Sequence, residues 1–108
     1  MELFNIKGTQ ELSDQDFLKK VKKVIVDNWH EGVTIIFQKG DNSLRKMDVK
    51  LNESLLAPKT DEPAKGIEAR RKTNKARGNL VVTEWLKDTD EYQIRTVPLM
   101  SVISVSSI

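Results

Sequence analysis

Between Ala64 and Asn79 the chain carries Lys65, Arg70, Arg71, Lys72, Lys75 and Arg77 against Glu68 alone. This local balance of +5 stands out because the whole chain has a net charge of only +2, which leaves the remainder at −3. Guanidinium and ammonium groups spaced along a chain neutralise phosphates and release their counterions. The affinity that results does not read base sequence and falls steeply with salt. The same charges suit an acidic protein surface, and a charge run can also be no more than a solvated loop. No aromatic residue is interleaved with them, so the base stacking used on single strands is missing from the run itself. We expect these six residues to contact nucleic acid, DNA first, with an acidic protein surface as the alternative.

Trp85 and Tyr92 flank the polar turn Lys87-Asp88-Thr89-Asp90-Glu91 and form a secondary candidate surface, able to stack on a base or hold a proline-rich peptide. Cross-strand packing accounts for them with fewer assumptions. Catalysis has little to build on. The chain has no cysteine and a single histidine, His30, and no glycine-rich phosphate loop. His30 next to Trp29 lacks the further ligands that a metal site needs, so packing or capping is expected there. Asp88, Asp90 and Glu91 would be solvated in their turn and keep ordinary acidity. No enzyme activity, metal or cofactor is expected. Arg45 and Arg95 are expected to pair with Asp48 or Glu84.

The elements that position these residues can be read from periodicity. Ser13 before Asp14 and Asp16 is a helix start, with a hydroxyl cap and acidic side chains at the positive end of the helix dipole. Phe17, Leu18, Val21, Val24 and Ile25 then recur at helical spacing with Lys19, Lys20, Lys22 and Lys23 between them, which predicts an amphipathic helix over about 13–28. The lysines are its wet side. Val33–Phe37 is a β-branched run, Lys39–Ser43 a cluster of turn formers, and Leu44–Leu51 alternates with Arg45, Met47, Val49 and Leu51 on one face. Leu80–Trp85 and Tyr92–Val97 make a second hairpin. Pro98 ends the fourth strand or lies on an edge, Pro98–Ser101 is about one turn, and Val102–Val105 is a fifth strand. The expected core joins Ile35, Phe37, Met47, Val49, Val82, Ile94 and Ile103 to Phe17 and Val21.

Residues 52–79 break this rhythm with Pro58, Pro63, Gly66 and Gly78 and almost no large apolar side chain after Leu56. The stretch is long for a structureless loop in a compact domain, and it reads as a mobile excursion that carries the basic run. A chain of 108 residues suits a single domain. One helix, five strands and a turn before the last strand suit a small closed or nearly closed barrel over about 32–105.

The run Lys39-Gly40-Asp41-Asn42-Ser43-Leu44-Arg45-Lys46-Met47, then Leu51-Asn52 and Leu55-Leu56-Ala57-Pro58, resembles the small SH3 β-barrel proteins of tailed phages. Leu80–Trp85, Tyr92–Val97 with Arg95, and Val102-Ile103-Ser104-Val105 hold the places of that family's closing strands. The resemblance covers roughly 32–105. It implies a mostly β, five-stranded SH3-like barrel in a phage accessory protein, and no common activity. The insertion of Lys65 to Arg77 departs from the family pattern. A helix ahead of five strands also resembles the Sm-like RNA-binding barrel. The Asp-Asn pair expected after its second strand is absent, so ring assembly and uridine binding do not carry over. The resemblance makes the alternative partner a host protein complex that the chain would dock on and modulate.

With 38% apolar and 31% charged residues, the composition is that of a water-soluble globular chain. No run approaches the roughly 20 apolar residues of a membrane span, and no basic-then-apolar leader follows Met1. A cytoplasmic location is expected, the host cytoplasm if the chain is phage-encoded.

Overall fold

The computed structural model describes residues 1–56 and 78–108. Residues 57–77, most of the expected 52–79 excursion and the whole basic run, lie outside the described residues; of the rest of that stretch, Glu53–Leu56 is a short helix and Asn79 begins a strand. The described chain is mostly β: a six-stranded antiparallel sheet with an N-terminal helix packed on one face.

The helix, α1 (Asp14–Asn28), begins where expected, with the Ser13 hydroxyl accepting from the Asp16 amide at 3.2 Å. Phe17, Val21 and Ile25, four residues apart, form its buried stripe, and Leu18 and Val24 pack at the margin. Its end is held by the Trp29 amide on the Ile25 carbonyl (2.8 Å) and the Gly32 amide on the Asn28 carbonyl (3.1 Å). Gly32 adopts φ 108°, a left-handed conformation that glycine enters without steric cost.

The strands are β1 (Glu2–Asn5), β2 (Val33–Gln38), β3 (Leu44–Val49), β4 (Asn79–Leu86), β5 (Glu91–Pro98) and β6 (Val102–Ser107). They stand in the order β1-β6-β2-β3-β4-β5. A four-residue helix, α2 (Glu53–Leu56), follows β3 and lies against β4 and β5, and a single 3-10 turn (Leu99–Ser101) precedes β6 as expected. The β2–β3 hairpin turns on Asn42 at φ 70°. The Asp41 carboxylate beside it accepts from the Ser43 hydroxyl and amide, which holds its pKa below the usual value.

Two expectations are corrected. The closed or nearly closed five-stranded barrel is replaced by an open six-stranded sheet, because β1 occupies the outer edge of β6 and, among the described residues, β5 pairs with β4 alone. The strand β1 is too short to show a period. It is held by Phe4, which is buried edge-on against Phe17 at 5.7 Å and 75°. Second, Ile94 and Ile103 are not in the core. Ile94 is 43% exposed on the edge strand β5, which among the described residues has a neighbour on one side only. At Ile103 the β2–β6 register slips between Ile36↔Ser104 and Phe37↔Val102. The extra residue of this bulge is Ile103, so Val102 and Val105, three apart, both face inward at 0% exposure. The other expected core residues, Ile35, Phe37, Met47, Val49, Val82, Phe17 and Val21, are all buried.

Ile35→Ala should cost about 2–5 kcal/mol, as buried large-to-small changes do. Ile94→Ala should cost under about 1 kcal/mol. Urea midpoints at constant m-value measure both, and equal losses would contradict the burial described here.

Candidate binding surface

The six residues singled out for binding, Lys65, Arg70, Arg71, Lys72, Lys75 and Arg77, fall within 57–77, outside the described residues. The structure does describe the two places where that stretch joins the fold. On the exit side the Leu51 amide bonds the Trp29 carbonyl (2.8 Å) and the Asn52 amide donates to the Thr83 hydroxyl (3.0 Å). That hydroxyl in turn donates to the Lys50 carbonyl (2.6 Å). The Asn52 side chain then accepts from the Leu55 amide (3.2 Å) and starts α2. On the return side Gly78, at φ 72°, accepts from the Leu99 amide at 3.1 Å. A Cβ there would stand 3.3 Å from Leu18 on α1.

Trp85 and Tyr92 are direct cross-strand partners at the far end of the β4–β5 hairpin, on the sheet face away from the core. Both are half-buried. The Trp85 indole N–H donates to the Asp90 carboxylate at 2.9 Å, and the Lys50 ammonium stands 5.2 Å from the ring centroid. Asp90, at φ 53°, is thus both the turn residue and the anchor of the indole. A ring pinned at its edge and faced by a cation is held for packing, and a base reaching that face must displace Lys50. The lysine contact was not read from the sequence. It depends on β3 and β4 meeting, and no local pattern reports that pairing.

On the core face, past the end of the apolar stripe, Glu84 is 8% exposed and accepts from two arginines. Arg45 Nη2 lies 3.2 Å and Arg95 Nε 3.1 Å from its Oε1. Arg95 also donates to the Gln93 side-chain oxygen. Glu84 is therefore the expected partner of both arginines, while Asp48 instead accepts from the Thr34 hydroxyl (2.8 Å) across the β2–β3 pair. Every buried side-chain polar atom among the described residues has a hydrogen-bond partner, so the cluster is internally satisfied.

Trp29 packs partly buried against the core at the C-terminus of α1, and His30 is exposed beside it. Lys19, Lys20, Lys22 and Lys23 are exposed, with Lys23 paired to Asp27 at 3.2 Å. Among the described residues no group of three or more His, Cys, Asp or Glu is placed to hold a metal ion, and no helix is long and apolar enough to cross a membrane.

Glu84→Ala leaves two guanidiniums without their shared acceptor. Both arginine side chains are a third or more exposed, so water offsets much of that loss, and a destabilisation of about 1–2 kcal/mol is expected. A urea midpoint unchanged from the parent would show that the cluster contributes nothing to the fold.

Searches of protein-family models, of curated proteins and of solved structures find no match to this chain.

Proposed function

We propose that this chain is a non-catalytic binding protein that contacts duplex DNA through Lys65, Arg70, Arg71, Lys72, Lys75 and Arg77. The observation that carries the reading is the charge distribution: a segment at +5 inside a chain whose remainder is at −3. A field of one sign confined to one segment favours a polyanion there and not elsewhere. Trp85 and Tyr92 are a secondary candidate only, since a base reaches the indole face by displacing Lys50. The segment springs from α2, which lies against β4 and β5, so the aromatic pair belongs to the same half of the sheet as the root of the basic run.

The fold supports a binding role of this kind. Two β-hairpins, a 3-10 turn before the last strand and a helix in front are the parts expected of an SH3-like barrel, and we relate the open sheet to that architecture. On the resemblance of Lys39 to Met47 to phage barrel proteins, we relate the chain to phage accessory proteins acting in the host cytoplasm. The lack of any aromatic residue between Lys65 and Arg77 favours duplex over single-stranded DNA. It also favours, as a second reading, an acidic surface on a host protein complex.

If about five phosphates are neutralised, log affinity against log salt should fall with a slope near −4 to −5, following roughly 0.9 per phosphate. Neutralising Arg70, Arg71 and Lys72 together should reduce that slope by about three with the circular dichroism spectrum unchanged. A gel-shift series over salt measures both. Equal, weak shifts from parent and triple variant would end the DNA reading. A complex from host lysate that survives nuclease and is lost in the variant would establish the protein one.

A further inference from the structure

Among the described residues, the edge strand β5 leaves a row of backbone groups without a strand partner. Hydrogen-bonded and non-hydrogen-bonded positions alternate along an antiparallel pair, and two bonds fix the phase here. The Leu99 amide donates to the Gly78 carbonyl on the β4 side (3.1 Å), and the Thr83 carbonyl turns to β3, where it accepts from Lys50 (3.2 Å). With the β4–β5 register of Leu80↔Val97 through Leu86↔Glu91, residues 91, 93, 95 and 97 bond to β4. The N–H and C=O groups of Tyr92, Ile94 and Thr96 therefore point away from the sheet. Pro98 falls on the outward set as well, where its missing N–H removes no ladder bond. Among the described residues nothing pairs with this edge. Ile94 lies in its middle with 43% of its surface exposed.

We propose that β5 pairs antiparallel with β5 of a second copy of this chain, about a two-fold axis at Gln93. Three features select this register. Outward-pointing residues meet only outward-pointing residues, Tyr92 facing the partner's Ile94, so about four interchain backbone hydrogen bonds form. On the face away from the core, Tyr92 and Ile94 of both chains make an aromatic and β-branched cluster that covers the exposed isoleucine. On the opposite face Glu91 meets the partner's Arg95 at a non-hydrogen-bonded position, where side chains stand closest and opposite charges attract. Moving the axis to Ile94 places Arg95 opposite Gln93 and loses the ion pair, and moving it to Arg95 sets two arginines against each other. The isologous contact closes on itself, as a two-fold dimer requires. The area covered is small, so the dimer forms at tens of micromolar and not at nanomolar concentration.

The native chain has no cysteine, so Gln93→Cys places one thiol per chain on the axis, within the Cα separation that a disulfide spans. Under mild oxidation Gln93→Cys should crosslink to a dimer in high yield at about 0.1 mM, and Thr96→Cys should not. Sedimentation equilibrium should show the parent chain dimeric at about 0.1 mM and monomeric near 1 μM. Ile94→Pro, which removes an outward N–H and no bond to β4, should raise the dissociation constant at least tenfold with the circular dichroism spectrum kept. Glu91→Arg should weaken the dimer about as much without altering any backbone donor. A parent chain that stays monomeric at about 0.1 mM overturns the proposal and leaves the edge for a foreign extended segment. A dimer indifferent to Ile94→Pro and Glu91→Arg, and without crosslinking at position 93, overturns it equally.

Discussion

The whole sheet hangs on one joint. The strands β2 and β3 pair over their full length, as do β4 and β5, but β3 and β4 share a single register pair, Val49↔Glu84. Just past it the Lys50 amide reaches the Thr83 carbonyl, and the Thr83 hydroxyl bonds the Lys50 carbonyl and the Asn52 amide. Thr83 is 1% exposed, and one buried hydroxyl thus satisfies two backbone groups that would otherwise be unpaired where the ladder ends. Valine has nearly the same shape and could not do this. On the other face of the same joint, Glu84 draws in Arg45 from β3 and Arg95 from β5. Two adjacent residues of β4 therefore tie three strands together, one through the backbone and one through charge.

So short a joint explains why the sheet is open. A closed barrel needs continuous ladders and consistent stagger around its circumference. Here the ladder stops at Val49↔Glu84 and the Lys50–Thr83 bond, so the first half of β4, Asn79–Val82, continues past the end of β3. The other end of the sheet is finished differently. β1 adds to β6, and the carbonyl of Met1 accepts from the Ser107 amide at 2.8 Å.

Much of this was legible in the residues. Ser13 and the Phe17, Val21, Ile25 spacing predict α1 almost to the residue, since capping and helical period are local properties. Both hairpins follow from alternation between turn formers, and the apolar alternation of Ile35, Phe37, Met47 and Val49 marks the inward face correctly. What could not be read depends on neighbours distant in sequence. Ile94 alternates as a core residue does, yet its strand has no second neighbour among the described residues. Ile103 belongs to a bulge that only the β2–β6 register creates. β1 consists of four residues stabilised by a phenylalanine meeting α1. The proposed binding segment was legible as composition in 57–77, and the structure adds geometry only where it joins the fold and at Trp85.

Those roots bear on how fold and function coexist. The entropy of closing a loop grows with the logarithm of its length, so doubling a connection costs only about 0.6 kcal/mol more. What such a connection needs is firm ends. Here one end is bound to the Thr83 joint and to the Trp29 carbonyl at the end of α1, and the other to the turn before β6 through Gly78 and Leu99. Each end is tied to backbone that is itself paired with a core element. A connection between such ends can thus be lengthened and charged at little cost to the sheet. The same economy is not open to the hairpins, where changing one residue of register turns a whole face inside out. The division of the chain into an apolar, alternating frame and one basic run is what this difference in physical constraint would produce.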